Sequence, residues 1–413
     1  MAKLVPITAR QIRNFAPARS RFGQRILNRG GSGFTGPRTG LTWVAAESDF
    51  AWARVLYANQ TGASITIDKT TLQASASMAT LACVDEAGAN LPMLPAYANA
   101  GGADSKPGEL TGTALPLVIP AGTAANDTKA WTDWVKVASR PRADGAFRPL
   151  LQVRTYIAGT TTLYNEVDKD VWDDPAVNLG RIIDLFDGGN DQTGAANPTA
   201  TMSEVIRCYI AGVEFLGPKM VQVVLGIGDS ETEGNQSTSG RKNFLHIATA
   251  ALSRANRPVA HINSGYSAQT TQQFVDRGIG DIRRFNPSVV VFPAFSPNDA
   301  PTTMDLARNG WANCLRLLQA CREAGAIPIV WTSFPINGRT ALQDAPRQWL
   351  NNQLRGLRDN GVLIADFDLL ISDGGSPPSI KSIFDSGDGL HLKDAGWDAC
   401  AGVLKPVLNQ ALG

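Results

Sequence analysis

From residue 218 onward, short apolar runs alternate with segments whose apolar residues recur at helical spacing, and that alternation leaves few folds open. The runs at 220–227, 258–262, 288–293, 327–334 and 362–367 have the length and composition of buried parallel strands. The stretches between them each carry one apolar face: Phe244, Leu245, Ala248, Ala251 and Leu252; Trp311, Cys314, Leu315, Leu318 and Cys321; Trp349, Leu350, Leu354 and Leu357. A last helix is expected over 393–412, with Trp397, Cys400, Ala401, Leu404, Val407 and Leu408 facing inward. Parallel strands need crossover helices, so residues 218–413 are predicted to form an α/β domain with five parallel strands and helices on both faces.

The preceding stretch has another rhythm. Strand-like runs at 53–58, 64–68, 115–119, 131–137, 150–157 and 205–210 are separated by segments rich in Gly, Ala, Pro, Asn and Thr, such as 98–113 and 188–201. Many short strands with turn-rich connections predict an antiparallel β-sandwich of jelly-roll type over 41–217. At 413 residues the chain exceeds one ordinary core, in keeping with two domains. Trp43, Trp52, Trp131, Trp134 and Trp172 offer faces on which sugars stack, but core positions are the expectation for most of them.

Composition excludes several classes. An apolar fraction of 43% with 18% charged residues is that of a folded protein, and a net charge of +1 gives no reason to expect nucleic acid as a partner. The positive charge is nevertheless uneven, because Lys3, Arg10, Arg13, Arg19, Arg21, Arg25, Arg29 and Arg38 all precede the first acid, Glu47. Residues 1–40 therefore read as a basic arm, a solvated tail in the plainest case and a docking or assembly contact in the other. The five cysteines, Cys83, Cys208, Cys314, Cys321 and Cys400, lie far apart without a CxxC pair, so free thiols are expected and neither a disulfide framework nor a zinc site. There is no run of about 20 apolar residues and no apolar core of a secretory signal near Met1, so a soluble protein without a membrane partner is expected.

The chemistry concentrates where the first apolar run ends, at Gly228-Asp229-Ser230, followed by Glu231, Thr232, Glu233 and Gly234. A serine at the carboxyl edge of a parallel sheet stands where α/β enzymes keep their reacting groups. A hydroxyl is a poor nucleophile unless a base takes its proton, and a histidine serves as that base only when its tautomer is held. Of only three histidines, His391 stands three residues after Asp388, a spacing that lets the carboxylate accept the ring N–H and leaves the other nitrogen for Ser230. His246 and His261 fall on a helix and inside a strand and are expected to be core or surface residues. Donors for a developing oxyanion are expected from the Ser230 N–H, from a backbone N–H at Gly265 after the second strand, and from the Asn298 amide after the third. Glu231 and Glu233, in the first turn after the serine, are expected to be exposed, since acids suit a helix amino end.

In these stations the chain resembles the SGNH (GDSL-type) hydrolase family: Gly228-Asp229-Ser230 as the first block, Gly265 as the second, Pro297-Asn298-Asp299 as the third and Asp388-Gly389-Leu390-His391 as the last. The third block departs from the usual Gly-x-Asn-Asp in having Ser296 in place of the glycine. Ser230 lacks the Gly-x-Ser-x-Gly elbow of the α/β-hydrolases. The resemblance spans about 221–408. It implies a flavodoxin-like three-layer fold and ester hydrolysis through an acyl-serine, without a metal or organic cofactor. In that scheme Ser230 is the nucleophile, His391 the base and then the acid, Asp388 its orienter, and Ser230, Gly265 and Asn298 the oxyanion hole. A sandwich ahead of such a domain resembles the layout of carbohydrate esterases, so the expected substrate is a small-molecule or polysaccharide ester, with acetyl foremost. The alternatives are a lipase or polyester-type hydrolase with an apolar groove and, from another class, a binding or structural module of a phage-like assembly.

Overall fold

The computed structural model describes residues 19–22, 37–59, 62–98, 116–122, 128–159, 180–186, 190–198, 201–203, 210–238, 242–300 and 302–413. The chain divides into two compact units, one over 16–221 with 254–260, the other over 222–253 and 261–413. Cys208, Trp172 and most of the basic arm lie outside the described residues.

The first unit is antiparallel, as expected. One sheet has the order β1 (Arg19–Phe22), β13 (Ile210–Leu216), β3 (Trp52–Asn59), β8 (Thr128–Trp131), with β9 (Val135–Lys136) also on β3. A second has the order β12 (Thr201–Ser203), β11 (Gly180–Phe186), β2 (Arg38–Ala45), β10 (Leu150–Ile157), β5 (Lys69–Ser75), β6 (Leu94–Ala96). A small ribbon pairs β4 (Ile65–Ile67) with β7 (Leu117–Ile119). The Tyr57 hydroxyl, from the first sheet, lies 2.8 Å from Thr70 Oγ1 and 2.7 Å from Thr155 Oγ1 of the second, so the two sheets face each other across a buried polar link.

Two expectations change here, while the buried tryptophans keep to theirs. Residues 19–22 of the basic arm are a strand, paired with β13 from Arg19↔Leu216 to Phe22↔Val213, not a tail. The expected strand at 131–137 is broken, because the Thr132 hydroxyl accepts the Val55 N–H at 2.9 Å and takes a place in the ladder. Trp43, Trp131 and Trp134 are buried, so their faces are core. The Arg54 guanidinium lies over both Trp131 and Trp134, at 4.2 and 4.6 Å from the ring centroids, and is neutralised by Glu214.

The second unit has the expected five-stranded parallel sheet, in the order β15 (Val259–Gly265), β14 (Gln222–Gly228), β16 (Val289–Pro293), β17 (Ile327–Trp331), β18 (Leu363–Ala365). Every residue of β15 and β16 is buried, which accounts for the unbroken apolar character of β16, whereas β15 also buries His261, Asn263 and Ser264. Because β14 lies between the two strands that follow it in sequence, the order reverses at β14. The crevice at the carboxyl end of such a strand is where open α/β sheets hold their ligands.

Helices α2 (Phe244–Leu252) and α7 (Asp394–Leu412) pack together, while α3 (Thr271–Phe285), α4 (Met304–Ala324) and α5 (Ala341–Leu357) pack in succession. Two short helices complete the set, α1 (Ser230–Glu233) and α6 (Phe367–Ile371). The buried face of α4 is rotated from the expected one: Ala307, Gly310, Cys314, Leu317 and Cys321 point inward, whereas Leu315 is 40% exposed. β17 stops at Trp331, earlier than the apolar run suggested, because the next residues turn their backbone to other partners, Ser333 N–H donating to Asn351 Oδ1 at 3.1 Å.

Aromatic rings fill the space between the sheet and α2, α6 and α7. Phe244 stacks on Trp397 at 5.9 Å and meets Phe367 edge-on at 5.3 Å, and Trp331 stacks on Phe367 at 5.3 Å. Trp397 is fully buried, so Trp397→Ala is expected to lower the stability of this unit by about 3–5 kcal/mol, read from guanidinium unfolding.

Candidate active site

Ser230 is the first residue of α1, directly past the end of β14. Asp229 caps that helix, its Oδ1 accepting the Glu231 N–H at 3.0 Å. As the first helical residue, Ser230 has a backbone N–H with no intrahelical acceptor. Its hydroxyl lies 2.9 Å from Nε2 of His391, and His391 Nδ1 lies 2.6 Å from Asp388 Oδ2. The residues separated by 161 positions in sequence thus meet in one hydrogen-bonded chain.

The Asp388 carboxylate is held from several sides. Its Oδ1 accepts the N–H groups of Leu390 and His391 at 2.9 and 2.8 Å and the Ser386 hydroxyl at 3.0 Å. Partial burial by itself would raise its pKa, but the donors from His391 and Leu390 outweigh it and hold the group well below the usual carboxylate range. The turn that makes this possible needs Gly389, at φ 71°, where a β-carbon would come within 2.9 Å of Asn337. Nδ2 of Asn235 lies 3.5 Å from His391 Nε2, a neighbour that nothing in the sequence announced.

Of the groups expected to serve as oxyanion donors, Gly265 is placed differently from expectation. The Gly265 N–H is committed to Asn263 Oδ1 at 2.8 Å, so it is not available to a substrate. What glycine provides there is closeness: a β-carbon would lie 2.2 Å from the Glu233 nitrogen, and its absence lets β15 pass directly behind α1. In the turn that follows, Tyr266 N–H donates to Gly228 O, Ser267 N–H to Glu233 Oε2 and Gln269 N–H to Tyr266 O. Accounting for the backbone donors in this way leaves the N–H of Ala268, an exposed residue in the left-handed region at φ 61°. An alanine in that conformation carries no sequence signal, which is why the position was missed.

Asn298 follows β16, the strand paired with β14, and is exposed. Its Nδ2 lies 3.1 Å from Gln269 O and 3.0 Å from Ser296 Oγ. Those acceptors are only 2.8 Å apart, so they subtend about 55° at the nitrogen, against the roughly 120° between the two N–H bonds of a carboxamide. One N–H can serve both acceptors at once, an arrangement that leaves the other for a ligand.

Arg277 binds these parts together. This buried guanidinium donates to Gly228 O at 3.0 Å, to Gln269 Oε1 at 2.7 and 2.9 Å, and to the Ser264 hydroxyl, with Asp281 as counter-charge at 3.4 Å. His246 and His261 are both buried, with Nδ1 and Nε2 3.4 Å apart, and stay away from the Ser230 chain as expected. Among the described residues, no three His, Cys, Asp or Glu side chains are grouped to hold a metal, and no helix is long and apolar enough to cross a membrane.

Residues 227–399 match the family model described as GDSL-like Lipase/Acylhydrolase family. A search of curated proteins gave no match. Among solved structures, the domain is similar to a putative acylhydrolase from Bacteroides fragilis, at 20% identity over 46% of this chain and 88% of that one, TM-score 0.39. It is also similar to a GDSL-like lipase from Bacteroides thetaiotaomicron, at 19% identity over 46% and 89%, TM-score 0.36. A third is a Clostridium thermocellum family 3 carbohydrate esterase, at 17% identity over 46% and 97%, TM-score 0.36.

The acids beside Ser230 correct the expectation of exposure. Glu231 is buried, with Oε2 lacking a hydrogen-bond partner among the described residues, and Glu233 is half-buried with its Oε2 on Ser267. Burial, then the nearby Asp229, pushes the Glu231 carboxyl well above its ordinary range, with Arg347 opposing. Burial likewise pushes Asp229 up to about 6, against partial offsets from the Ser296 hydroxyl and the Glu231 N–H. Protonation of Glu231 is the cheaper outcome, and it spares the site a charge that would oppose an oxyanion. A carboxyl whose folded-state pKa is raised favours the native state below its unfolded value, near pH 4, and that contribution is lost as pH rises through the folded value. The stability of this unit should therefore decline from pH 5 to pH 8, and Glu231→Gln should gain on the native chain as pH rises. Thermal melts across that range are expected to show the gap between Glu231→Gln and the native chain widening as pH rises.

Proposed function

We propose that this chain is a serine esterase that removes short acyl groups, acetyl foremost, from a carbohydrate through an acyl-serine intermediate. The observation that carries the reading is the continuous Ser230 Oγ, His391 Nε2, His391 Nδ1, Asp388 Oδ2 chain, with links of 2.9 and 2.6 Å. His391 Nε2 takes the hydroxyl proton as Ser230 Oγ attacks the ester carbonyl carbon. Asp388 keeps Nδ1 protonated and steadies the imidazolium. The tetrahedral oxyanion is met by the N–H of Ser230, the uncommitted N–H of Asn298 and, in place of Gly265, the N–H of Ala268. Collapse breaks the bond to the alcohol oxygen, which leaves with the proton from Nε2. A water molecule then attacks the acyl-serine with His391 again as base, releasing the carboxylic acid and restoring the Ser230 hydroxyl.

Support for a hydroxyl-rich alcohol comes from a cleft of about 540 Å³ that opens beside Asp299, the neighbour of Asn298. Its walls carry Thr271, Gln272, Asn309, Asn313 and Arg316, which can exchange hydrogen bonds with sugar hydroxyls, beside the apolar Leu306 and Ala312. In the first unit the buried Trp43, Trp131 and Trp134 offer no stacking face.

Ser230→Ala is expected to abolish release of acetate from acetylated polysaccharides, and Asp388→Asn to lower kcat by about 10³- to 10⁴-fold by releasing the ring tautomer. Full activity of Ser230→Ala would overturn the mechanism. On p-nitrophenyl esters of increasing length, kcat/KM should fall beyond the shortest acyl groups; a rise with chain length would replace the carbohydrate reading by that of a lipase.

A further inference from the structure

Where the family's third block has a glycine, this chain has Ser296, and the hydroxyl is fully used. Ser296 Oγ donates to Gln269 O at 2.8 Å and accepts the Asn298 backbone N–H at 3.1 Å. It also accepts from Asn298 Nδ2 at 3.0 Å, beside Gln269 O, which accepts from the same nitrogen at 3.1 Å. Ser296 itself is fully buried and anchored through its own N–H, which donates to Thr271 Oγ1 at 2.7 Å. Asn298, by contrast, is exposed and sits in a short turn, 297–299. An exposed carboxamide rotates freely about its last torsion, so a fixed acceptor at one N–H determines where the other points.

We infer that Ser296 is a positioning residue for the reaction: its hydroxyl locks the Asn298 amide in the orientation that presents the second N–H to the oxyanion. This rests on the esterase reading above. The same hydroxyl faces the buried Asp229 carboxyl, so loss of Ser296 also has a route to activity that bypasses Asn298. A merely structural role would show itself along that second route. The two are separable because an effect transmitted through the Asn298 amide must vanish when the amide is gone.

The experiment is a double-mutant cycle with p-nitrophenyl acetate on the full chain, using Ser296→Ala, Asn298→Ala and the pair. Ser296→Thr keeps the hydroxyl, and Ser296→Gly serves as a second deletion should the alanine variant misfold. Expected are a roughly 10-fold loss of kcat with KM within about 2-fold for Ser296→Ala, recovery of most of that rate in Ser296→Thr, and no further loss from Ser296→Ala once Asn298 is alanine. Phosphonylation of Ser230 by a p-nitrophenyl phosphonate, whose phosphoryl oxygen needs the same donors, should slow in parallel. Wild-type kcat in both Ser296→Ala and Ser296→Gly would overturn the proposal, as would an equal loss with and without Asn298. Activity surviving in Ser230→Ala would overturn the esterase reading and this proposal together, whereas an inactive Ser230→Ala beside an unaffected Ser296→Ala rejects only the latter.

Discussion

The site depends on one buried cation. Arg277, on α3, holds the Gly228 carbonyl at the last residue before the Asp229-Ser230 turn and, through Gln269 Oε1, the segment that carries Ala268. Gln269 in turn accepts Ser296 Oγ and Asn298 Nδ2 on its backbone oxygen. A single guanidinium, with its planar fork of donors, thus ties the ends of β14 and β15 directly and the turn after β16 through Gln269. Its counter-ion Asp281 is fully buried, so the pair is hydrogen-bonded on all sides and removal of either member would leave an uncompensated charge. Such a network contributes less to net stability than to uniqueness of position, which is what an array of donors aimed at one oxygen requires.

Around this clamp the charges are graded by burial. Asp388 is the more exposed carboxylate and is surrounded by donors, so it stays ionised and orients His391. Asp229 and Glu231 flank Ser230 in sequence but face the interior, and burial drives both toward the neutral form. The Cys400 thiol on α7 is raised by burial and by Glu231, which places that carboxyl against the helix layer and not in the crevice. Three acids within a short reach of Ser230 therefore differ in charge state, and solvent access is what separates them.

Much of the architecture was legible because periodicity reports burial directly. The five strands of the second unit and its last helix follow from apolar runs and stripes, with α7 beginning at Asp394, one residue from the expected start. The face of α4 was misjudged since Leu315 is apolar yet exposed, and an apolar residue on a surface helix is common enough that pattern alone does not orient it. The fate of 131–137 turned on a side chain entering a backbone ladder, a contact between residues 77 positions apart. Of the site, Ser230, Asp388 and His391 were readable from motif and spacing, because an acid three residues from a histidine closes a local turn. Gly265 was readable as a special position, but its reason was mistaken: its backbone lies against Glu233, and its N–H goes to Asn263.

The sequence by itself determined the class of fold and singled out Ser230, the Asp388–His391 pair and the segment around Asn298, since each is written in residue type at short range. Only the tertiary structure decided that Ser230 and His391 meet, that Ala268 and not Gly265 is left with a free N–H, and that Glu231 is buried. Each of these is a matter of which donor has already been taken, or how much water remains, and both are properties of groups brought together from distant parts of the chain.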